Sequence, residues 1–507
     1  MAYLLGIDIG TSGTKVLAID ESGKIAATAS AEYPLLTPRP LWAEQHPQDW
    51  WRATCECVRK IVQIIPAEEI AGVGLSGQMH GLVMLDERNE VLRPAILWCD
   101  QRTQAQCDYI EETVGRSTLI EETCNPVLTG FTAPKIIWAR DNEPEVFARA
   151  RMHLLPKDYV RFQLTGEFAT EVSDASGTSL LNVPKRNWST PVLDALEIPL
   201  AHLPKVYESF EVSGKISQAG ADATGLKVGT PVVGGGGDQA AGAVGNGIVQ
   251  SGVISVTTGT SGVVFAFADQ PAVDPALRVH TFCHAVPNKW HIMGVMLSAG
   301  GSLRWYRDTM CLPEMQVAQI MGIDPYEIIT KEAEAAPRGS EGLLFLPYLT
   351  GERTPHPDPT ARGAFVGLTV RHNKAHLARA VLEGVSFGLK DSLEILKSMN
   401  VSIGNVRTSG GGARSEIWRQ IQADVFGYPL SVMSADEGPA LGVALLAGVG
   451  AGLYSSIEEA CSTVVKVAGT TAVNTEDAAT YAKYYDVYRA LYPALKDSFS
   501  EIGKLVS

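Results

Sequence analysis

The chain has 507 residues, of which 45% are hydrophobic, 19% charged and 7% aromatic, a composition typical of folded globular proteins. This length excludes a peptide or a disulfide-stapled miniprotein and predicts about three domains, or two larger ones. The net charge of −14 disfavours chain-wide attraction to nucleic acid or to anionic lipid.

The N-terminal segment predicts a β-hairpin with a polar tip. Residues 3–9 are apolar except for Asp8, residues 10–13 have the turn sequence Gly-Thr-Ser-Gly, and residues 15–19 are apolar again. No basic region precedes the first carboxylate, so we do not expect a secretory signal here.

The same plan recurs in the second half of the chain. Gly-Thr-Ser-Gly stands again at 259–262, within the strand-like residues 253–267. Small polar residues are ordinary in hairpin turns, so one copy alone is a weak signal. The position of each copy near the start of a chain half favours duplicated halves with a seam at 245–252. A shared turn without common ancestry is the alternative.

Strand-like and helix-like segments are mixed in both halves, which predicts the α/β class. Residues 71–76 and 231–237 have the apolar composition of buried strands that end in glycine. The uncharged residues 438–453 are rich in Gly and Ala and open with Gly-Pro, which favours a buried helix over a membrane span. Apolar residues at helical spacing predict helices at 50–65, 239–244, 377–395 and 416–426.

The eight cysteines are scattered along the chain. The closest pair, Cys55 and Cys57, lacks the two-residue gap of common zinc and redox motifs. We therefore expect free thiols and a cytoplasmic protein, because cytoplasmic thiols stay reduced.

Both Gly-Thr-Ser-Gly tips can present backbone N–H groups and hydroxyls to anionic oxygens, since glycine lets the backbone approach closely. Two copies predict phosphate binding from two sides, and the first copy is preceded by Asp8 and followed by Lys15. Asp8 ends an apolar strand, where an unpaired carboxylate is costly. A cation is therefore a candidate partner, and a hydrogen-bonded aspartate at a strand end is the alternative.

Three further glycine-rich segments follow strand-like runs. Asp238, after the glycines at 234–237, is a candidate general base for an alcohol that attacks phosphorus, and helix capping is the alternative role. His80, with Met79 beside it, is a candidate sugar contact or a buried core histidine. Residues 409–414 can hold a base or ribose, but they do not fit G-x-G-x-x-G, which disfavours a Rossmann site. The sequence has no Walker motif, which disfavours a P-loop kinase.

Together these segments resemble the FGGY carbohydrate kinases of the actin-like ATPase superfamily. Residues 6–15 and 257–262 are similar to the first and second phosphate motifs, and residues 363–368 and 376–383 to the C-terminal signature. The resemblance implies two α/β domains of the actin-like ATPase (ribonuclease H-like) fold, with the active site in the cleft between them. Residues 1–247 would carry the sugar site and the first phosphate loop. Residues 248–507 would carry the second phosphate loop and the adenosine site.

The resemblance also implies roles for individual residues. Asp238 matches the catalytic base, and Asp8 and Asp238 match the carboxylates near Mg²⁺. The implied sugar contacts are Met79, His80, Asp238, Gln239, Trp98 and Asp100. The implied ATP contacts are Gly10, Thr11, Ser12, Gly13, Lys15, Gly259, Thr260, Ser261, Gly300, Gly410, Gly411, Gly412 and Ala413.

Several segments resemble the family members that phosphorylate D-xylulose: 41–51, 77–81, 130–135, 155–159 and 351–356. Glycerol-phosphorylating members are expected to carry Arg-Glu where Met79 and His80 stand. Gln239 stands where the best-known xylulose-phosphorylating members carry Asn. The implied activity is direct in-line transfer from ATP, with Mg²⁺, to the C5 hydroxyl of D-xylulose, and relatives suggest a homodimer.

Two alternatives remain at this point. The same phosphate motifs would serve a kinase of another ketose, a polyol or a sugar acid. Actin-like proteins also include nucleotide-driven binding proteins that are not kinases. Asp238 in its glycine run and the Met-His pair favour the kinase.

Overall fold

A computed structural model describes residues 2–434 and 437–506, in which strands and helices are mixed throughout, as the apolar periodicity predicts. The strands of the first half are β1 (Tyr3–Ile9), β2 (Gly13–Asp20), β3 (Ile25–Glu32), β4 (Glu44–Gln45), β5 (Ile70–Gly77), β6 (Val83–Leu85), β7 (Ala95–Ile96), β8 (Met152–Leu154), β9 (Ala169–Glu171), β10 (Leu181–Asn182), β11 (Asn187–Trp188), β12 (Lys205–Tyr207), β13 (Val212–Lys215), β14 (Pro231–Val233) and β15 (Gly236–Gly237). Its helices are α1 (Pro47–Val62), α2 (Gln104–Val114), α3 (Arg116–Thr123), α4 (Thr132–Asn142), α5 (Pro144–Arg149), α6 (Pro156–Thr165), α7 (Val172–Ala175), α8 (Thr190–Leu196), α9 (Gln218–Thr224) and α10 (Asp238–Gly245).

The second half continues the alternation of strands and helices. Its strands are β16 (Gly252–Thr258), β17 (Gly262–Ala268), β18 (His280–Cys283), β19 (Trp290–Met296), β20 (Leu344–Leu346), β21 (Ala364–Val366), β22 (Ile403–Ser409), β23 (Leu430–Met433) and β24 (Val467–Thr471). Its helices are α11 (Gly300–Met310), α12 (Leu312–Met321), α13 (Pro325–Glu334), α14 (Lys374–Ser398), α15 (Glu416–Phe426), α16 (Gly438–Gly450), α17 (Ile457–Val464) and α18 (Thr475–Val506).

Two seven-stranded sheets have the same core plan. In the first, β3, β2, β1, β5 and β14 are neighbours in that order, and in the second the order is β19, β17, β16, β22 and β23. In both sheets the first three strands are antiparallel and the last three are parallel. The structure therefore confirms both predicted hairpins, and the matching order supports duplicated halves.

The predicted helices are present, with ends set by local chemistry. The first begins at Pro47, earlier than predicted, because proline is favoured in the first turn. The helix at 416–426 has the predicted bounds: the Ser415 side chain accepts a hydrogen bond from the Trp418 N–H, and Gly427 adopts a left-handed conformation at the other end.

The predicted strand at 231–237 is broken into β14 and β15. Gly235, between them, has φ of +71°, and a side chain there would overlap the Leu75 carbonyl on β5. The break therefore reflects close contact between neighbouring backbones. All eight cysteines are free thiols, as predicted. Among the helices of the described residues, none is both long and apolar enough to cross a membrane.

Helix α16 from the second half packs on the first sheet. A Cβ atom at Gly6 on β1 would overlap the Ala440 carbonyl, and one at Gly74 on β5 would overlap the Val443 carbonyl. The absence of side chains lets the helix backbone lie directly against the strands. A domain boundary at 247/248 therefore places α16 in the second domain by sequence, although it packs against the first.

Helices α10 and α16 also meet through their backbones. A Cβ at Gly442 would overlap the Ala241 carbonyl, and one at Gly245 would overlap the Gly438 carbonyl. Apolar residues of both sheets and of these two helices form one continuous core cluster. The two halves are thus joined by a tightly packed helix pair that starts with Asp238 and Gly438.

We expect Gly442→Ala to destabilise the protein, because the new methyl group pushes α16 away from α10 at a cost of about 1–3 kcal/mol. Gly503, in α18, is a matched control, since a methyl group at this position would lie 3.8 Å from its nearest neighbouring atom. Gly503→Ala should be neutral or stabilising, because alanine is the better helix former. Thermal unfolding of both variants and the wild type checks this, and equal melting temperatures would contradict the proposed contact.

Candidate active site

Three parallel strands of the first sheet place the candidate catalytic residues at one edge. In the backbone register, Asp8 on β1 lies beside Ser76 on β5, and Ser76 lies beside Gly236 on β15. Asp238 follows Gly236 by two residues and is the first residue of α10. The carboxyl ends of parallel strands are a usual place for ligand sites in α/β sheets. The structure thus brings Asp8 and Asp238 to the same edge.

The glycine run before Asp238 is held by side chains that the sequence analysis did not identify. The Arg161 guanidinium donates to the Gly234 carbonyl at 2.5 Å, and the Gly237 N–H donates to the Ser173 hydroxyl at 3.1 Å. Both ends of the run are therefore fixed by hydrogen bonds, so the position of Asp238 is set by its surroundings.

Behind this run lies a completely buried group of charges. The Lys157 ammonium lies 2.9 Å from Asp158, 3.0 Å from Asp174 and 3.4 Å from Glu171, while Arg161 lies 3.1 Å from Asp158. Burial raises the pKa of Asp174 well above its usual range, although the neighbouring Lys157 ammonium acts in the opposite direction. The adjacent charges Lys157 and Asp158 lie in the segment 155–159 that supported the resemblance, but no local motif indicated their ion pairs with Glu171 and Asp174.

Asp8 and Asp238 both have raised pKa values. Burial raises the pKa of Asp8 to about 6. Burial, followed by repulsion from Asp8, raises the pKa of Asp238 to about 7, against hydrogen bonds from Gln239 that lower it. The Oδ1 atom of Asp8 is buried without a hydrogen-bond partner in the described residues. Such a pair is well suited to a divalent cation that relieves both effects.

A metal site of three or more protein side chains does not form within residues 2–434 and 437–506. Mg²⁺ is commonly held by one or two carboxylates, with phosphates and water as the other ligands. The two carboxylates therefore fit Mg²⁺ that is bound together with a phosphorylated substrate. They do not fit a zinc-like site made of protein ligands alone.

His80 is held as a neutral base. Burial lowers the pKa of His80 to about 3, and its Nδ1 atom lies 2.7 Å from the Gly177 carbonyl. A neutral ring must donate from Nδ1 to this carbonyl, which leaves Nε2 as a hydrogen-bond acceptor. The ring stacks on Phe131 at 4.6 Å, and the His80 carbonyl accepts from the buried Lys135 ammonium at 2.7 Å. These contacts hold His80 at φ of +69°, an uncommon conformation for histidine.

Met79 connects His80 to Asp238. A Cβ atom at Gly237 would lie 3.0 Å from Cγ of Met79, so this side chain packs against the turn just before Asp238. Met79 is 5% exposed. The structure therefore brings together Met79, His80, Asp238 and Asp8 from the predicted set.

Trp98 and Asp100 have different environments. Trp98 is 38% exposed, and its indole N–H donates to the Thr11 hydroxyl at 3.0 Å, which links the predicted sugar segment to the first phosphate tip. Asp100 is completely buried, with its carboxylate bound to Arg102 and to the Ala43 N–H. The structure thus gives the Asp100 side chain protein partners in place of a position at the cleft.

The first phosphate tip is a short, partly exposed turn. The Gly10 N–H donates to the Gly13 carbonyl at 3.0 Å, and a Cβ atom at Gly13 would lie 2.7 Å from the Ala31 carbonyl. Ser12 at the tip is exposed. Lys15 forms a 2.5 Å ion pair with Glu437, just before α16. The side chain of Lys15 is 41% exposed and remains accessible to solvent.

The second tip is held by the start of α11. The N–H groups of Gly300 and Gly301 donate to the carbonyls of Gly259 and Thr260 at 2.7 and 2.9 Å. A side chain at Gly300 would lie 2.5 Å from the Gly259 carbonyl, which explains why glycine stands there. Close backbone contact is thus the reason for Gly300.

The tip, α11 and the glycine turn after β22 surround a cavity of about 700 Å³. Gly410 in this turn has φ of +82° and lies close to the Thr258 carbonyl. Five predicted ATP contacts line the cavity: Gly259, Thr260, Gly300, Gly411 and Gly412. Ala413 is 6% exposed and lies beside this turn without lining the cavity.

The cavity wall includes residues that were not predicted. Arg304 donates to the Thr260 hydroxyl at 2.6 Å, and Tyr326 and Arg414 also line the cavity. These side chains come from α11, α13 and the turn after β22. A polar face on a helix has no distinctive sequence signal, which is why local motifs did not reveal them.

The chain matches two family models along most of its length. Residues 3–245 match the N-terminal domain of the FGGY family of carbohydrate kinases, and residues 254–451 match the C-terminal domain. The chain is 39% identical over 499 residues to a xylulose kinase of Bacillus subtilis, with 98% of each chain covered.

Two solved structures from Lactobacillus acidophilus are also similar. A ligand-bound xylulose kinase has a TM-score of 0.92 and 30% identity, with 99% of this chain and 100% of that chain covered. A gluconate kinase has the same TM-score and identity, with 99% of each chain covered. These similarities confirm the expected actin-like fold of two α/β domains. The chain belongs to the FGGY family of carbohydrate kinases and is therefore an ATP-dependent sugar kinase.

Proposed function

We propose that this kinase phosphorylates D-xylulose at the C5 hydroxyl and that Asp238 is the general base. The similarity to the xylulose kinase of Bacillus subtilis over 98% of both chains supports the substrate. The observation that carries the chemical assignment is the position of Asp238 beside Asp8, with a pKa raised to about 7 by burial and by that neighbour. That raised pKa belongs to the metal-free protein and reflects a carboxylate that is held out of water and close to a second acid.

Asp238 takes the proton of the C5 hydroxyl as that oxygen attacks the γ-phosphorus of ATP in line. The bond from phosphorus to the ADP oxygen breaks, so no covalent enzyme intermediate is formed. The hydrogen bonds to Gly234 and Gly237 support this role, because they fix the backbone that precedes the carboxylate. A fixed base lowers the reorganisation needed in the transition state.

Asp8 and Asp238 would hold Mg²⁺ together with the phosphates. When bound, the metal neutralises charge on the transferring phosphoryl group. The partly exposed tip from Gly10 to Gly13 and Lys15 would bind the phosphates from one side, with Gly259, Thr260 and Ser261 on the other side. Backbone N–H groups in such turns bind anionic oxygens well. The orphaned Oδ1 of Asp8 supports the metal assignment.

The sugar would lie beside Met79 and His80, with Gln239 and Trp98 as further contacts. Neutral His80 offers an acceptor to a sugar hydroxyl, and Met79 offers an apolar surface next to the base. Asp100 was predicted to contact the sugar, but its carboxylate binds Arg102 and the backbone of Ala43, and we propose a positioning role for it. The adenosine would occupy the 700 Å³ cavity, between Gly300 and the turn formed by Gly410 to Ala413.

The remaining expectations stay proposals. We propose a division into domains at 247/248, a homodimer and a cytoplasmic location. The family assignment to carbohydrate kinases favours a kinase over a nucleotide-driven binding protein.

A second candidate substrate is gluconate. The gluconate kinase structure matches this chain as closely as the xylulose kinase from the same organism does, with 30% identity in both cases. The phosphate machinery is equally suited to both substrates, so the sugar side must separate them.

We expect the purified kinase to release ADP from Mg·ATP in response to D-xylulose. The comparison panel is L-ribulose, D-ribulose, L-xylulose, glycerol and gluconate. Selective stimulation by D-xylulose would support the proposed substrate. Stimulation by gluconate alone would replace it with the second candidate.

Asp238→Asn should lower kcat by about 10² to 10⁴-fold while ATP binding is retained, because the variant lacks the proton acceptor. Asp391→Asn is a matched control. Asp391 is another buried carboxylate with a pKa raised by burial to about 7, and it accepts from the Tyr485 hydroxyl. Steady-state kinetics of both variants provide the test, and near-normal turnover of Asp238→Asn would exclude Asp238 as the base.

Asp238→Asn should also stabilise the free protein above pH 7. Between about pH 4 and 7, native Asp238 keeps a proton that it loses in the unfolded chain, so its presence makes stability fall as pH rises. The melting-temperature difference between variant and wild type should therefore grow from pH 5 to pH 8. Asp391→Asn should show the same trend with turnover retained. A constant difference for Asp238→Asn would contradict its raised pKa.

Asp8→Asn should raise the Mg²⁺ concentration needed for half-maximal turnover by about tenfold or more, because one metal ligand is weakened. Titration of Mg²⁺ at fixed ATP and sugar measures this change. The rise in melting temperature on adding Mg²⁺ with ADP gives a second readout. Asp391→Asn serves again as control, and an unchanged Mg²⁺ requirement in Asp8→Asn would remove Asp8 from the metal site.

A further inference from the structure

Arg353 lies in a polar loop that the proposed function leaves without a role. Its guanidinium has no hydrogen-bond or ion-pair partner among residues 2–434 and 437–506, although the side chain is only partly exposed. An unpaired cation in such a position is costly unless a ligand supplies oxygens. This makes Arg353 the strongest unassigned group near the site.

The residues on either side of Arg353 fix its backbone to β19. The Glu352 carboxylate accepts from the Leu297 N–H at 2.9 Å and from the Arg353 N–H at 2.7 Å. The Thr354 hydroxyl accepts from the Val295 N–H at 3.1 Å, and the Thr354 N–H donates to the Val295 carbonyl at 3.0 Å. Arg353 is therefore presented from a rigid backbone.

The same loop places Arg353 beside β18. The Thr354 hydroxyl donates to the Arg278 carbonyl at 2.6 Å, two residues before His280. His280 is 6% exposed and lies with its ring 5.9 Å from Phe131 and 5.8 Å from Phe282.

His80 belongs to the same ring cluster. Its ring lies 4.6 Å from that of Phe131 and 6.2 Å from that of Phe282. Burial is the main cause of the lowered pKa values of His80 and His280, and the Arg353 charge adds to both, which agrees with a guanidinium in the neighbourhood of these rings. Both histidines are neutral at pH 7. Their rings therefore neither neutralise the positive charge of Arg353 nor repel it.

The adjacent acid does not neutralise Arg353 either. Burial raises the pKa of Glu352 to about 8, so this side chain is mostly protonated at neutral pH. Its Oε2 atom is buried without a hydrogen-bond partner in the described part of the chain. The positive charge of Arg353 thus remains available to a ligand.

The order of the residues indicates which end of the sugar Arg353 meets. Met79 packs against Gly237 beside the proposed base, His80 follows it, and His280 of the ring cluster comes two residues after the Arg278 carbonyl that the loop of Arg353 contacts. A sugar with its phosphorylated hydroxyl at Asp238 therefore extends its other end toward Arg353. In D-xylulose this end carries the C1 hydroxyl and the C2 carbonyl, and in gluconate it carries the carboxylate.

We propose that Arg353 determines substrate specificity by binding the oxygens of a carbonyl or carboxylate at the end of the sugar opposite the phosphorylated hydroxyl. This inference rests on the proposed function of the site. A guanidinium can donate two parallel hydrogen bonds to neighbouring oxygens, and such bonds are stronger to a carbonyl or carboxylate than to an alcohol.

The test compares each sugar with the polyol in which the carbonyl or carboxylate is reduced to an alcohol. The pairs are D-xylulose with xylitol and gluconate with glucitol. Arg353→Gln should weaken the binding of D-xylulose by about 10- to 100-fold. The change is measured as KM in turnover assays and as Kd by calorimetry. The affinity for xylitol, measured as its inhibition constant and by calorimetry, should change less than about threefold. KM for ATP should stay within about twofold of wild type.

Two further variants separate charge and folding from geometry. Arg353→Lys keeps the charge without the planar fork and should recover only part of the affinity for D-xylulose. Arg362→Gln is the matched control. Arg362 is an arginine on a nearby loop whose guanidinium donates to the carbonyls of Pro359 and Ala361, and sugar binding should be unchanged. Arg353→Gln should melt at or above the temperature of the wild type, because it removes a charge that has no partner in the free protein.

The outcomes distinguish this inference from the proposed function. Equal weakening of D-xylulose and xylitol, or no weakening of D-xylulose, would overturn the role of Arg353. If gluconate proves to be the substrate, the proposed sugar is wrong. The role of Arg353 is then supported if Arg353→Gln loses affinity for gluconate and keeps its affinity for glucitol. If none of the four compounds binds the wild type, both proposals fail.

Discussion

The contact between the backbones of α16, the first sheet and α10 is the constraint on which the rest of the structure depends. Glycines at 6 and 74 let α16 lie directly on β1 and β5, and Gly442 lets it lie directly on α10. The residue that opens α10 is Asp238, and the segment before α16 supplies the partner of Lys15. Backbone contacts of this kind tolerate little movement. They therefore fix the positions of the two halves and of Asp238 relative to one another at this contact.

Local features of the fold were predictable from the sequence, because turn chemistry and apolar period act over short distances. Both Gly-Thr-Ser-Gly hairpins and the helix at 416–426 are examples. The packing of α16 on the first sheet was not predictable, since uncharged, glycine-rich composition indicates burial without identifying the partner. For the site, glycine runs after strands indicated Asp238 and the cavity turn. Lys157 and Arg353 lie in segments that supported the family resemblance, but their roles were not predicted, because they depend on which charged groups the fold brings near them.

Charged groups lie on both sides of the glycine run. Behind it, Lys157 and Arg161 have carboxylate or carbonyl partners at 2.5–3.1 Å. In front of it, Asp8 retains a buried oxygen without a protein partner, and Arg353 retains an unpaired charge. A buried polar group without a partner costs about 1–3 kcal/mol. The unpaired oxygen of Asp8 thus lies where a cation bound with the substrate would supply the missing partner.

The ion pair of Lys15 with Glu437 has a consequence for the halves of the molecule. It joins the first phosphate tip to the segment before α16, with side chains 41% and 24% exposed. Exposed pairs of this kind contribute at most about 1 kcal/mol and are screened by salt. A polyphosphate that draws Lys15 away therefore breaks this bridge at little cost. Binding of the nucleotide is thus coupled to the loss of one connection between the halves. This coupling depends on ionic strength.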